Sequence, residues 1–223
     1  MTTPRIVILG PQGAGKGTQA ALLARHFHIP HISAGDLLRA EARRGTALGQ
    51  KIARIIDRGR LVPDALMSLV VRHRLARADA RRGWILDGYP RFRAQAASFN
   101  RFARPTIVIH LTLTDREAIR RLAGRRVCPN GHVYHLRHQR PKKRPGVCDI
   151  DGLPLHRRAD DTPTAIRKRL AWHHAQTDPL IASYRRRHEL IEVNAAPRIP
   201  LVYRQVLQQI KTLPWLSSRL QPK

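Results

Sequence analysis

Four glycines and a lysine stand between an apolar run, Arg5-Ile6-Val7-Ile8-Leu9, and the start of a helical pattern: Gly10-Pro11-Gln12-Gly13-Ala14-Gly15-Lys16-Gly17-Thr18. Glycine lets the chain turn tightly without Cβ collisions, so successive backbone N–H groups can point at one anion, and the helix that follows adds its dipole. Lys16 is then placed to reach the β and γ phosphates of a nucleotide. The alternative is a strand–turn–helix crossover that is merely glycine-rich, and the coincidence of glycines, lysine and strand context argues against it. A general phosphate loop carries Ser or Thr directly after the Lys, where its hydroxyl holds Mg²⁺. Here Gly17 takes that position and Thr18 follows, which disfavours a simple switch GTPase.

The elements that must position this loop follow from periodicity. Apolar runs at 5–9, 31–33, 84–87, 106–113 and 189–193 alternate with helical patterns at 15–27, 36–44, 48–57, 63–78, 94–103, 115–124, 162–187 and 200–213. That alternation predicts a parallel sheet covered by helices, an α/β fold. Between 125 and 161 the helical pattern stops and Pro, Gly and His accumulate, as in Cys128-Pro-Asn-Gly-His-Val-Tyr-His135. A stretch of that length inside a compact fold predicts a lid or binding insertion.

Composition narrows the classes. With 223 residues the chain suits one α/β domain with insertions. No apolar run precedes the first strand and none approaches the roughly 18 residues of a membrane span, so the expectation is a cytoplasmic protein. Lys and Arg number 42 against 15 Asp and Glu, a net charge of +27, and 35 of the cations are Arg. They are spread through every segment and form no single arm, so the expectation is nonspecific nucleic-acid adhesion at low salt rather than a dedicated nucleic-acid function. The two cysteines, Cys128 and Cys148, do not point to a structural disulfide in a reducing compartment.

A second set of motifs narrows the reading: Ile32-Ser-Ala-Gly-Asp-Leu-Leu-Arg39, Gly59-Arg-Leu-Val-Pro-Asp64, and Gly83-Trp-Ile-Leu-Asp-Gly-Tyr-Pro-Arg91 with Gln95 four residues later. Together with the Gly-Lys-Gly-Thr loop and the insertion, these make the chain resemble adenylate kinase of the long-lid bacterial type over nearly its whole length. The resemblance implies a P-loop NTPase-type, five-stranded parallel sheet flanked by helices. It divides the chain into a core (1–32, 63–123 and 162–223), a helical NMP-binding flap (33–62) and a lid (124–161). The implied reaction is ATP + AMP ⇌ 2 ADP with Mg²⁺, carried out by a monomer.

Such chemistry needs in-line placement and cations around a spreading negative charge rather than covalent help. By the resemblance, Gly13, Ala14, Gly15, Lys16, Gly17 and Thr18 would cradle ATP phosphates with Arg125. Arg121 would lie against the ATP adenine, and Val133, Tyr134 and Pro197 would contact ATP, Pro197 through its carbonyl. On the AMP side it implies Ala34, Arg39, Arg60, Leu61, Val62, Gly88, Tyr89, Pro90, Arg91 and Gln95, with Arg39 and Arg91 on the phosphate and Gln95 on the adenine. Arg158 and Arg169 would close on the transferring group, and Asp87, with Asp36, would order the water shell of Mg²⁺. Asp160 and Asp161 would pair with arginines on closing or cap the helix that begins at Thr162.

Two departures from the family pattern stand out. Ala34 replaces the usual Thr, as in UMP/CMP kinases, while Gln95 matches the adenine-binding residue. The lid offers Cys128-x3-His132 and Cys148-x2-Asp151 where zinc-bearing members carry Cys-x2-Cys and Cys-x2-Cys/Asp. A Cys-His-Cys-Asp set suits structural Zn²⁺, the alternative being a lid held by hydrogen bonds, and His135 is the alternative imidazole. The functional expectation is adenylate kinase; the alternatives are a UMP/CMP-type kinase and a basic nucleic-acid-binding protein with an ATP-binding core.

Overall fold

The structure is a computed structural model that describes residues 4–58, 62–137, 139–158 and 161–213. Arg60, Leu61 and Asp160, named above, lie outside these residues.

Strand β1 (Arg5–Leu9) lies at the centre of a five-stranded, all-parallel sheet. The order across the sheet is β2 (His31–Ser33), β3 (Trp84–Asp87), β1, β4 (Ile107–Thr112) and β7 (Leu190–Asn194). Successive side chains of a strand point to opposite faces, and both faces here are covered, which is why the strands read as continuous apolar runs. Val7, Leu9, Leu86 and Val108 pack on one side against α4 (Asp64–Leu75), α5 (Arg93–Asn100) and α8 (Asp178–Arg186), through Met67, Val71, Phe99, Leu180 and Tyr184. Ile6, Ile8, Ile85 and Ile109 pack on the other side against α1 (Lys16–Phe27) and α9 (Ile199–Lys211), through Leu23, Val202, Val206 and Ile210.

This layering places the glycine loop. Leaving β1, the chain passes Gly10, whose φ of 141° and whose missing Cβ, which would collide with the Leu111 carbonyl oxygen of β4, make any other residue costly there. The loop therefore emerges at the carboxyl end of β1, between β3 and β4, the crevice in which open α/β sheets take their ligands. Gly15, at φ 79°, turns directly into α1.

Helices α2 (Ala34–Ala42) and α3 (Ala47–Asp57) follow β2, each capped by a hydroxyl: Ser33 Oγ accepts from the Asp36 N–H and Thr46 Oγ1 from that of Gly49. After β4 comes α6 (Asp115–Ala123), capped by Thr114. The segment read as a lid contains an antiparallel pair, β5 (Arg125–Val127) with β6 (Val133–His135), around a small core of Cys128, Tyr134, Cys148, Leu153 and Leu155. Its periodicity was invisible because each strand is only three residues long.

The helix expected over 162–187 is interrupted. It forms α7 (Pro163–Trp172), a π turn over His173–Thr177, then α8. Pro179 has no N–H to donate to the carbonyl four residues back, and the turn before it widens so that the Asp178 N–H reaches the His173 carbonyl. Among the described residues, no helix is long and apolar enough to cross a membrane.

Candidate active site

Lys16 closes on its own loop. Its Nζ donates to the carbonyls of Gly10 and Pro11, both at 2.9 Å, contacts that a phosphate oxygen can replace. Burial presses the ammonium below its ordinary pKa; Asp87 opposes this, while Arg91, Arg125 and Arg169 press in the same direction. Three guanidiniums and one carboxylate thus lie within electrostatic reach of the loop lysine. Such a concentration of positive charge waits for an anion.

Asp87 comes from the last residue of β3, in register with Ile8 of β1 and Ser33 of β2. A Cβ added at Gly17 would stand 3.4 Å from Asp87 Oδ2. The carboxylate therefore lies beside the loop at the position where a general phosphate loop carries a Ser or Thr hydroxyl.

Arg91 follows the turn after β3. Its Nε donates to the Gly88 carbonyl at 2.8 Å, and burial lowers its pKa against the pull of Asp87. Gly88, at φ 84°, has Arg91 Nη2 and the Ala34 Cβ within 3.7 Å of where its own Cβ would be, so Ala34, Gly88 and Arg91 meet at one spot. Arg39, one helix turn into α2, pairs with Asp36. Tyr89 is fully buried with its hydroxyl 2.8 Å from Ser68 Oγ, and Pro90 is buried beside it, so these two residues offer a ligand backbone rather than side chain. Gln95 bridges two elements: Oε1 accepts from the Arg91 backbone N–H at 2.8 Å, and Nε2 donates to Asp64 Oδ1 at 2.7 Å.

On the other side of the loop, Asp161 gathers two arginines. Arg125 donates to it twice, Nε to Oδ2 at 2.8 Å and Nη2 to Oδ1 at 2.6 Å, and Arg169 Nη2 adds a third bond at 3.0 Å. Burial works to raise the carboxyl's pKa, but these hydrogen bonds and charges outweigh it and hold the group below its ordinary value. Of the two expectations for this acid, pairing is the one realised; the helix cap is Thr162, whose hydroxyl accepts from the Ala165 N–H. The backbone carbonyl of Arg158 receives the Asp161 N–H at 3.0 Å.

Arg121 spans two loops, donating from Nη1 to the Gly13 carbonyl at 3.4 Å and from Nη2 to that of Ala196 at 2.8 Å. It borders a narrow cleft with Ala14, Gly15, Thr18, Ala195 and Pro197. Val133 is exposed, whereas Tyr134 is turned into the lid core, its hydroxyl accepting from the Asp149 N–H at 2.8 Å. Tyr134 therefore has only backbone to offer a nucleotide. Val62 is partly exposed ahead of α4.

In the lid, Cys128 Sγ, Cys148 Sγ, His132 Nδ1 and an Asp151 carboxylate oxygen lie within 4.8 Å of one another. His132 Nδ1 is 3.2 and 3.3 Å from the two sulfurs and 3.0 Å from Asp151 Oδ2. Two sulfurs, an imidazole and a carboxylate converging this closely form a donor set that fits a tetrahedral metal ion. His135 is excluded from it: its ring lies against Gly124, and its Nδ1 accepts from the Arg137 N–H.

A family model described as adenylate kinase matches residues 8–189. The chain belongs to the adenylate kinase family. An adenylate kinase of Streptomyces griseus is 41% identical over 214 residues, covering 93% of this chain and 97% of that one. The adenylate kinase of Methanococcoides burtonii is 40% identical over 210 residues (92% and 97%), and that of a Thermoanaerobacter species 42% over 209 (91% and 95%).

Two residues that hold side chains of this adenylate kinase family site in place escaped the sequence reading. Glu117 accepts from Arg121 Nε at 2.8 Å and from Arg120, and those arginines hold its carboxyl at about 2. Its i, i+4 spacing to Arg121 on α6 was the available signal. Asp64, the partner of Gln95, carried none, because 31 residues and a change of element separate the two.

Proposed function

We propose that the chain catalyses reversible phosphoryl transfer from ATP to AMP, giving two ADP. The observation that carries the reading is the convergence of Asp87, Arg91, Arg125 and Arg169 on the loop lysine, with a separate group of Ala34, Gly88 and Gln95 extending from Arg91. One cluster can hold a triphosphate and the other a monophosphate, with the arginines between them.

In this reading the N–H groups of Gly13 to Thr18 and Lys16 hold the ATP phosphates, and Arg125 and Arg169 steady the transferring group with Arg158. Arg91 and Arg39 grip the AMP phosphate, since planar guanidinium forks make paired bonds to phosphate oxygens. The AMP base meets Gln95, Ala34 and the backbone of Gly88 to Pro90, with Arg60, Leu61 and Val62 at its edge. The ATP adenine enters the cleft between Arg121 and Pro197, and the backbone of Val133 and Tyr134 covers it. No side chain has to accept a proton. Residues 33–62 act as the AMP flap and 124–161 as the ATP lid on a core of 1–32, 63–123 and 162–223; closure keeps water from intercepting the phosphoryl group.

Mg²⁺ travelling with ATP offsets charge on the phosphate oxygens. Asp87 is the carboxylate that would hold it through ordered water, with Asp36, because Gly17 supplies no hydroxyl beside Lys16. Zn²⁺ would be held by Cys128, His132, Cys148 and Asp151; four protein donors leave no open position, so its role is to fold the lid. The protein would act as a cytoplasmic monomer, and its +27 charge would hold nucleic acid nonspecifically at low salt.

The test is ADP formation with each nucleoside monophosphate in turn. The reading expects kcat/KM to be highest for AMP. A higher value for CMP or UMP would overturn the choice of acceptor, and ATP hydrolysis stimulated by DNA or RNA but indifferent to AMP would overturn the reaction.

A further inference from the structure

The Gln95 carboxamide is fixed at both ends, by the Arg91 backbone N–H on Oε1 and by Asp64 Oδ1 on Nε2. The oxygen and nitrogen of an amide are nearly equal in size, so only its partners decide which way round it sits. The Arg91 N–H can only donate and an ionised carboxylate can only accept, so both partners reject the turned-over amide. The lock is made from two elements, Asp64 at the first residue of α4 and Gln95 in the first turn of α5, whose packing is secured by Met67, Val71, Ala96 and Phe99 in one core. Gln95 itself is only 7% exposed, so water cannot substitute freely for a missing partner.

Each amide atom keeps one valence. Oε1 has a second lone pair and Nε2 a second hydrogen, and the two partners fix the order in which the amide presents its oxygen and its nitrogen. An acceptor beside a donor in that order pairs with a base edge that carries an exocyclic amino group next to an unprotonated ring nitrogen. A 6-oxopurine presents the reverse, a carbonyl next to a ring N–H, and meets donor with donor and acceptor with acceptor. We infer that Asp64 is a specificity-determining positioning residue, which locks the Gln95 amide in the orientation that admits 6-aminopurine monophosphates and rejects 6-oxopurine ones. This rests on the reading above that Gln95 meets the base of the acceptor.

The experiment compares kcat and KM for AMP and IMP in the parent, Asp64→Ala, Asp64→Asn and Gln95→Ala. Each ratio of kcat/KM is taken on one preparation, so a smaller folded fraction cancels. In Asp64→Ala the AMP:IMP ratio should narrow about tenfold, the effect of about 1.4 kcal/mol, chiefly through KM, while kcat for AMP stays near the parent value. Asp64→Asn, which keeps an acceptor for Nε2, should restore most of the ratio. Equal losses for AMP and IMP in Asp64→Ala, or an unchanged ratio there while Gln95→Ala narrows it, would overturn the inference alone. An unchanged ratio in Gln95→Ala would overturn the placement of the base at Gln95, and the inference with it.

Discussion

Asp161 grips Arg125 through both carboxylate oxygens, at 2.8 and 2.6 Å, and has no exposed side-chain surface of its own. Arg125 opens β5, and Arg169, the carboxylate's other partner, lies in α7. One buried acid thus ties the start of β5 to α7. It also holds two cations within electrostatic reach of Lys16. Preorganisation of this kind is what electrostatic catalysis requires, because charges already in place need no rearrangement when the reaction occurs.

Replacing Asp161 with Asn keeps the shape and removes the charge. The two guanidiniums, about a fifth and a quarter exposed, would then face each other across a neutral amide. A stability loss of about 2 kcal/mol is expected, below the range for fully buried pairs because water still screens the arginines. The Asp161 pKa lies below its unfolded value, so its contribution is present above about pH 4 and is lost as pH falls through the folded value. Denaturant unfolding of parent and D161N at pH 7 and pH 3 should show the gap narrow at the lower pH. A gap of the same size at both would contradict the ion-pair account.

His174 makes a second link, on the outer surface. Its Nδ1 lies 2.8 Å from Asp178 Oδ2 and its Nε2 3.0 Å from Asp115 Oδ1, and these hydrogen bonds, Asp178 first and then Asp115, raise its pKa against a smaller effect of burial. A raised folded pKa means stabilisation that is complete below about pH 6.5 and fades as pH rises through the folded value. The Tm difference between the parent and His174→Ala should therefore be larger at pH 6 than at pH 9. An equal difference at both pH values would show that the ring acts by packing alone.

The lid donors predict a metal content. Purified protein should carry about one zinc ion per chain, as a closed four-donor site does, and Cys128→Ser should lose most of it. Loss should lower the Tm, since a metal would join ligands from two loops that are otherwise held by hydrogen bonds and one small apolar core. Zinc-free parent protein with an unchanged Tm after chelator treatment would remove the metal and leave the hydrogen-bonded lid.

Much of this architecture could be read from local pattern. The strands β1 and β3 are buried on both faces and announce themselves as unbroken apolar runs, and the loop from Gly10 to Thr18 carries its own geometric requirement for glycine. What stayed hidden is long-range or compensatory. The bond from Gln95 to Asp64 joins separate helices, and no periodicity connects them. At the π turn before Pro179 the helix widens rather than stops, and α8 goes on to pack on the sheet through Leu180, Ile181 and Tyr184. The choice of His132 over His135 for the lid cluster is, by contrast, legible in the Cys128-x3-His132 spacing. Glu117 is the case that spacing could have disclosed, since Arg120 and Arg121 follow it at i+3 and i+4 on one helix.

The central claim is that the cations around Lys16 act on two nucleotides at once. Its most direct test is the rate of ADP formation from ATP, with and without AMP, in the parent, Lys16→Ala and Arg91→Ala. The account predicts ADP only when AMP is present, and a loss of about a hundredfold or more in kcat/KM for each variant, the scale for removing a charge-stabilising donor. ADP formed equally well without AMP, or parent-like kcat/KM in Arg91→Ala, would contradict it.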